Sequence, residues 1–143
     1  MNIHDQLNKS QVLELLIRCD LPTLDLHDKD MKTFLGWSDK NNLRGVVGIE
    51  VHGCFGLLRS LAVAPDARSL GCGKDLVLRI EDVARAKNLM CIYLLTTTAQ
   101  RFFMQLGYQV VQRDLVPTEI KQTSEFSCVC PDTATVMYKQ IAI

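Results

Sequence analysis

Two apolar runs with a helical pattern between them are the feature that most constrains this chain. The runs LLRSLAV (57–63) and CIYLL (91–95) have the character of strands inside a sheet. Between them, apolar residues recur at the spacing of one helix face: Leu76, Val77, Ile80, Val83 and Ala84. Strand, helix and strand within about forty residues predict a βαβ unit, which has two parallel strands and a right-handed crossover.

The rest of the chain adds elements on both sides of this unit. Residues 10–19 have helical spacing, and 24–32 predict a second, weaker helix. The runs 33–37 and 43–51 flank the turn-rich SDKNN and predict a hairpin, whose second strand is expected to pair antiparallel with 57–63. The remaining expected elements are a short helix in 99–107 capped by Gly107, a strand at 108–113, an irregular stretch and a strand at 133–141. No linker or repeat interrupts this order, so 1–143 is expected to form a single domain.

Charge and hydropathy exclude several kinds of partner. The chain has 16 basic and 16 acidic residues, so its formal net charge is zero, which argues against a generally basic nucleic-acid-binding surface. The opening MNIHDQLNK is polar, and no apolar run approaches the ~18 residues needed to cross a bilayer. We therefore expect a cytoplasmic protein with no nucleic-acid or membrane partner.

The six cysteines and three histidines do not form a metal-binding pattern. Cys128 and Cys130 make a Cys-x-Cys pair, but there is no Cys-x-x-Cys pair and the histidines are scattered. Ordinary reduced thiols explain these cysteines, and no metal site is predicted.

The entrance to the central helix is rich in glycine and positive charge. In RSLGCGK (68–74), Gly71 and Gly73 lie between Arg68 and Lys74. A helix N-terminus has unpaired N–H groups and a positive dipole end, and glycine lets a ligand approach the backbone closely. The pattern favours a phosphate or pyrophosphate site over a flexible helix cap. Neither a Walker A loop nor a dinucleotide fingerprint fits, because Asp75 and Leu76 occupy positions that those motifs reserve for other residues.

This Arg-x-x-Gly-x-Gly pattern, preceded by SLAVAPDA, resembles the acetyl-CoA signature of the GNAT superfamily of N-acetyltransferases. The resemblance extends over essentially the whole chain. The segments LLRSLAV, YLLTTTAQRFFMQLGY and EFSCVCPDTATVM are similar, more narrowly, to acetyltransferases associated with arsenic-resistance operons. The resemblance implies an α+β fold of three layers: a mixed, mostly antiparallel sheet with a splayed parallel strand pair at its centre, flanked by helices. It also implies acetyl-CoA as co-substrate.

The same resemblance implies which residues contact acetyl-CoA. The strand before the signature gives main-chain groups to the pantetheine arm, and the N–H near Leu61 polarises the thioester carbonyl. The signature holds the pyrophosphate, with Cys72 contributing its backbone amide only. The thioester lies beside the short helix, near 96–103. The implied contacts come from Leu61, Ala62, Val63, Arg68, Ser69, Gly71, Cys72, Gly73, Lys74, Thr96 and Phe103.

The acceptor side is predicted from charged residues near the signature strand. Glu50, at the end of the hairpin strand, is the candidate general base; a solvated carboxylate is the alternative. Arg59 lies within an apolar strand, where a buried guanidinium needs an anion, and Ser60 is expected on the opposite face because strands alternate. Glu125 lies in the late irregular stretch, which we expect to wall the acceptor site. Arg59, Glu50 and Glu125 suit a small, amino-acid-like amine.

One residue departs from the family pattern. Many members have a tyrosine four residues before the glycine that ends the short helix, as the acid that protonates the departing thiolate, and here Phe103 stands at that position. Tyr138 and Tyr108 are both candidate donors, and Tyr138 is carried forward as the catalytic candidate. The departure also supports a rival class, a non-catalytic acyl-CoA-binding module. A protein or peptide amine remains an alternative acceptor, and a homodimer remains an alternative assembly.

Overall fold

The computed structural model describes residues 2–19, 21, 33–40, 42–123, 126 and 134–141. Its strands are β1 (Asn2–His4), β2 (Phe34–Asp39), β3 (Asn42–His52), β4 (Phe55–Val63), β5 (Cys91–Thr96), β6 (Gln109–Val110) and β7 (Thr135–Gln140). Its α-helices are α1 (Lys9–Arg18), α2 (Cys72–Ala86), α3 (Gln100–Gln105) and α4 (Thr118–Lys121), with 3₁₀ helices at Pro65–Leu70 and Arg113–Leu115. The strands form one seven-stranded sheet in the order β1-β2-β3-β4-β5-β7-β6.

The predicted βαβ unit is confirmed as β4, α2 and β5. Strands β4 and β5 pair in parallel, with Phe55–Leu57 opposite Cys91–Tyr93. Both strands continue beyond these pairs, β4 to Val63 and β5 to Thr96. The pairing is therefore confined to the first residues of each strand, as a splayed parallel pair requires.

The other strand pairings make the sheet mixed. Strand β2 pairs antiparallel with both β1 and β3, and β7 pairs antiparallel with both β5 and β6. Strands β3 and β4 are neighbours joined by a two-residue turn at Gly53 and Cys54, and so short a turn can join only antiparallel strands. The predicted hairpins and the mixed, mostly antiparallel α+β sheet are confirmed.

Several boundaries differ from the prediction. Helix α2 begins at Cys72, so the glycine-rich residues form its first turn instead of preceding it. Strand β6 has two residues where six were expected, and α4 forms within the stretch expected to be irregular. Strand β1 was not predicted. The helix expected at 24–32 lies outside the described residues.

The chain divides into two compact units. The first comprises Met1–Ile49 and Arg59–Asp82, and the second comprises Glu50–Leu58 and Val83–Ile143.

In the first unit, the core forms between α1 and the sheet. Asn8 caps α1, its side-chain oxygen accepting from the N–H groups of Ser10 at 2.9 Å and Gln11 at 3.3 Å, which is the usual way to satisfy the first amides of a helix. The buried core residues are Val12, Leu15, Leu16, Phe34, Val46, Ala62 and Ala64. Helix α2 also approaches β3 closely in this unit, because a Cβ added at Gly45 would lie 2.6 Å from the Cys72 sulfur.

In the second unit, β4, β5 and β7 share a core with the segment that follows β6. Its buried residues are Leu57, Tyr93, Val116, Ile120 and Val136. Ile120 is the buried residue of α4, and Val116 lies in extended backbone just before that helix. Part of the late segment that was expected to be irregular is therefore an ordered, packed wall of this unit.

Candidate active site

The turn at Gly71 gives the first unit an open helix N-terminus. Gly71 has φ 77° and ψ 11°, the left-handed conformation that favours glycine. The N–H of Asp75 donates to the carbonyl of Gly71 at 3.1 Å and closes the first turn of α2. The amides between these two residues precede the i→i−4 ladder of the helix. A Cβ added at Gly71 would meet no atom within 4 Å, so the space beside these amides is open.

Arg68 is held in place by the end of β4. Its Nε donates to the carbonyl of Val63 at 3.1 Å, and its Nη2 lies 3.9 Å from the sulfur of Cys19. The Cys19 thiol also donates to the Val63 carbonyl, at 3.6 Å. Because that carbonyl already accepts two donors, a contact of Val63 with a pantetheine arm would have to use its N–H. Lys74, at the other end of the turn, is exposed.

Cys72 is a buried packing residue of this turn. Its side chain is fully buried, and burial, reinforced by the charge of Asp75, raises the pKa of its thiol from 9.0 to about 12. The neutral thiol packs where Gly45 leaves room for it. With its side chain buried, Cys72 has only its backbone amide available for the predicted ligand contact.

The expectation that Arg59 and Ser60 point to opposite faces of the sheet is wrong. Ser60 has φ 59°, a left-handed conformation inside β4, and this breaks the alternation on which the expectation depended. Arg59 is 2% exposed, and its Nε donates to the Ser60 hydroxyl at 3.1 Å. The two side chains are therefore hydrogen-bonded to each other. A serine in this conformation is uncommon, and nothing in the sequence indicated it.

Glu50 and His52 form a hydrogen-bonded pair at the end of β3, in the second unit. The distance from His52 Nε2 to Glu50 Oε1 is 2.9 Å, and the Glu50 side chain is only 11% exposed. Glu50 is therefore not the solvated carboxylate that was its alternative interpretation. His52 was not predicted from the sequence, although the Glu-x-His spacing places both side chains on one side of a strand.

The short helix α3 follows a turn held by Thr96 and carries the buried Phe103. The hydroxyl of Thr96 accepts from the N–H of Ala99 at 2.9 Å. Phe103 is buried, with its ring centroid 5.1 Å from that of Phe102 and 5.4 Å from that of Tyr108. Gly107 has φ 96°, which confirms it as the residue that ends this helix.

The two candidate proton donors differ in their surroundings. Tyr108 is buried, and the ammonium of Lys139 lies 5.5 Å from its ring centroid. Tyr138 is partly exposed and stacks on Tyr93, with centroids 5.9 Å apart and ring planes at 22°. Tyr138 is thus the more accessible phenol.

Three residues that the sequence brought forward, Glu125, Cys128 and Cys130, lie outside the described part of the chain. Within residues 2–19, 21, 33–40, 42–123, 126 and 134–141, His, Cys, Asp and Glu do not group in threes as a metal site would require. Over the same residues, no helix is both long and apolar enough to cross a membrane.

Comparison with known proteins identifies the family. The sequence matches the acetyltransferase (GNAT) family over residues 4–108. This match covers most of the chain, and the chain belongs to that family.

Individual relatives agree with this assignment. The amino-acid acetyltransferase of Ectopseudomonas mendocina (strain ymp) is 39% identical over 62 residues, which are 43% of this chain and only 14% of that protein. N-acetylglutamate synthase from Neisseria gonorrhoeae, complexed with coenzyme A and L-arginine, superposes with TM-score 0.79 and 20% identity over 97% of this chain and 32% of its own. A GNAT-family acetyltransferase from Staphylococcus aureus Mu50 superposes with TM-score 0.78 and 19% identity over 99% of each chain. The GNAT fold is confirmed.

Proposed function

We propose that this chain moves the acetyl group of acetyl-CoA directly to a primary amine of a small, amino-acid-like molecule. The observation that carries the proposal is the helix entrance at Gly71, open and flanked by the cations Arg68 and Lys74, in a chain of the GNAT family. Crystal structures related to this chain in fold have coenzyme A bound, including N-acetylglutamate synthase.

The signature turn would bind the co-substrate. The amides that open α2 would hold the pyrophosphate together with Arg68 and Lys74, since N–H groups at a helix N-terminus suit a phosphate oxygen. The N–H of Leu61 would polarise the thioester carbonyl. These contacts fix the co-substrate while leaving the chemistry to groups that face the amine.

Glu50 and Tyr138 would supply the acid–base chemistry. A substrate ammonium transfers a proton to the Glu50 carboxylate, and the freed amine nitrogen attacks the thioester carbonyl carbon. The carbon–nitrogen bond forms and the carbon–sulfur bond breaks. The nitrogen releases its second proton to water as the amide forms, and the CoA thiolate leaves and takes up a proton. Tyr138 is our candidate donor for that proton, since Phe103 has no hydroxyl.

The acceptor is inferred from charge and from the named relatives. Arg59 would receive a carboxylate, and Glu50 and Glu125 an ammonium. The similarity to amino-acid acetyltransferases supports this class of acceptor, although the matched segments cover a small part of those proteins. The narrower resemblance to arsenic-resistance acetyltransferases stays a prediction, as do the single domain, the cytoplasmic location and a homodimer.

A thiol-release assay tests the proposal. Purified protein is incubated with acetyl-CoA and a panel of amino acids, phosphinothricin-like compounds and peptides, and free CoA thiol is measured. Thiol release with amino-acid-like compounds is expected, and release with peptides only would move the acceptor to a protein amine.

The base assignment is tested with Glu50→Gln. If Glu50 takes the ammonium proton, this change should lower turnover at neutral pH by roughly 10²-fold and largely spare CoA binding. The matched control is Glu14→Gln, the same change at an exposed glutamate of α1, which should leave turnover unchanged. Equal losses of binding and turnover in Glu50→Gln would make Glu50 a structural residue.

A non-catalytic acyl-CoA-binding module is the second candidate function. The observation that favours it is Phe103, which is buried among Phe102 and Tyr108 at the position of the usual acid. Binding of acetyl-CoA with no thiol release from any amine in the panel would establish this alternative.

A further inference from the structure

The pairing of His52 with Glu50 is specific in its geometry. Both residues lie on β3, separated by the exposed Val51, so both side chains leave the same side of the strand. The 2.9 Å separation of His52 Nε2 and Glu50 Oε1 is that of a charge-assisted hydrogen bond. Because a carboxylate only accepts hydrogen bonds, the Nε2–H of the imidazole is the donor.

The two side chains differ in their contact with water. The Glu50 side chain is 11% exposed and that of His52 is 29% exposed. A carboxylate that has lost most of its contact with water needs hydrogen-bond donors from the protein, or its charged form becomes costly. His52 provides one such donor from the more solvated side of the pair.

The end of β3 fixes the position of the imidazole. His52 is the last residue of the strand, and Gly53 follows with φ 66°, a conformation that turns the chain sharply toward β4. A Cβ placed at Gly53 would lie 3.7 Å from a carboxylate oxygen of Glu119. The imidazole thus lies between an ordered strand and a tight turn, in a region that also contains a second carboxylate.

We propose that His52 is a positioning residue for Glu50 in the acetyl transfer. The inference rests on the proposed function, in which the Glu50 carboxylate takes a proton from the substrate ammonium. By donating to Oε1, the imidazole restricts the rotation of the carboxylate and keeps it oriented toward the amine. Proton abstraction is sensitive to this orientation, because a general base acts only within hydrogen-bond reach of the proton.

Three variants test the proposal, with thiol release as the measured activity. His52→Ala removes the donor and should lower kcat roughly tenfold, the effect of losing a hydrogen bond to a charged group. It should leave the KM for acetyl-CoA unchanged. His52→Gln keeps an N–H donor at a similar distance from the backbone and should restore kcat to within roughly threefold of the wild type. His4→Ala is the matched control, because His4 also lies at a strand end and contacts a side chain, Ser38 Oγ, at 2.8 Å; it should leave kcat unchanged.

A double variant tests whether His52 acts through Glu50. In the Glu50→Gln background, His52→Ala should cause almost no further loss, since residues that act as one unit are strongly non-additive. An equal loss from His52→Ala in both backgrounds would overturn the proposal, and so would equal losses in His52→Ala and His52→Gln. If Glu50→Gln lowers turnover and His52→Ala does not, this inference is overturned and the proposed function stands. Absence of thiol release from the wild type with every amine would overturn both.

Discussion

Substitution of Gly71 is expected to separate ligand binding from folding. The residue has φ 77°, so alanine there costs roughly 1–2 kcal/mol of folding free energy through backbone strain. A Cβ at this position touches no other atom within 4 Å, so no steric clash adds to that cost. Asparagine tolerates the left-handed conformation better than alanine and still fills the space beside the amides.

The expected effects can be worked out for a thermal-shift assay. At CoA concentrations near one hundred times Kd, the wild type should gain about 2.7 kcal/mol, which is a rise in Tm of roughly 5–11 °C for a domain near this size. A side chain at Gly71 would displace the pyrophosphate from the amides and remove charge-assisted hydrogen bonds worth about 1.5–3 kcal/mol each. A hundredfold loss of affinity would reduce the stabilisation to RT ln 2, or about 0.4 kcal/mol, and the rise in Tm to roughly 1–2 °C.

The matched control is Gly107→Ala. Gly107 also has a left-handed φ, 96°, but it ends α3 and lies outside the signature turn. It should lower the Tm of the ligand-free protein by a similar amount to Gly71→Ala while keeping the CoA-induced rise. A Gly71→Asn protein that shows the full wild-type rise would refute the assignment of the pyrophosphate to this turn.

Two further predictions concern the thiol of Cys72 and the proton donor. Because burial raises the pKa of Cys72 from 9.0 to about 12, the unfolded chain loses this proton first, so the free energy of unfolding should fall as pH rises from 9 toward 12. Cys72→Ala should make this fall in the free energy of unfolding shallower, as measured by urea titrations at pH 8 to 11. An unchanged pH dependence would contradict the raised pKa of Cys72. If Tyr138 donates the proton to the thiolate, Tyr138→Phe should lower turnover at least tenfold, whereas Phe103→Tyr should change it only modestly. Wild-type turnover in Tyr138→Phe would remove Tyr138 from the mechanism.

The sequence predicts well the elements that have a long residue pattern or a backbone conformation that requires one residue type. The apolar periodicity of α2 and the runs at β4 and β5 predict the βαβ unit, because burial of one face requires that spacing. Gly71 and Gly107 both adopt positive φ, which follows from their positions at the ends of helical segments.

The features that the sequence does not predict depend on local backbone geometry that no residue type indicates. Serine is not typical of a left-handed position in a strand, so the conformation of Ser60 could not be anticipated. The prediction that Arg59 and Ser60 point to opposite faces of the sheet was wrong for that reason. Strand β1 is three residues long and depends on its pairing with β2. His52 is a different case, because its spacing from Glu50 on a predicted strand could have indicated the pair.

The alternation of Gly71, Cys72 and Gly73 now has a physical explanation in the first unit. The middle residue is fully buried and its sulfur fills the space that Gly45 leaves open on β3, so it anchors the start of α2 to the sheet. The preceding glycine is exposed, adopts the left-handed conformation and leaves the neighbouring amides uncovered. An anion site made of backbone N–H groups needs both properties, since the amides must be fixed before the ligand arrives and no side chain can stand in front of them. A buried residue between two glycines meets both requirements within one helical turn.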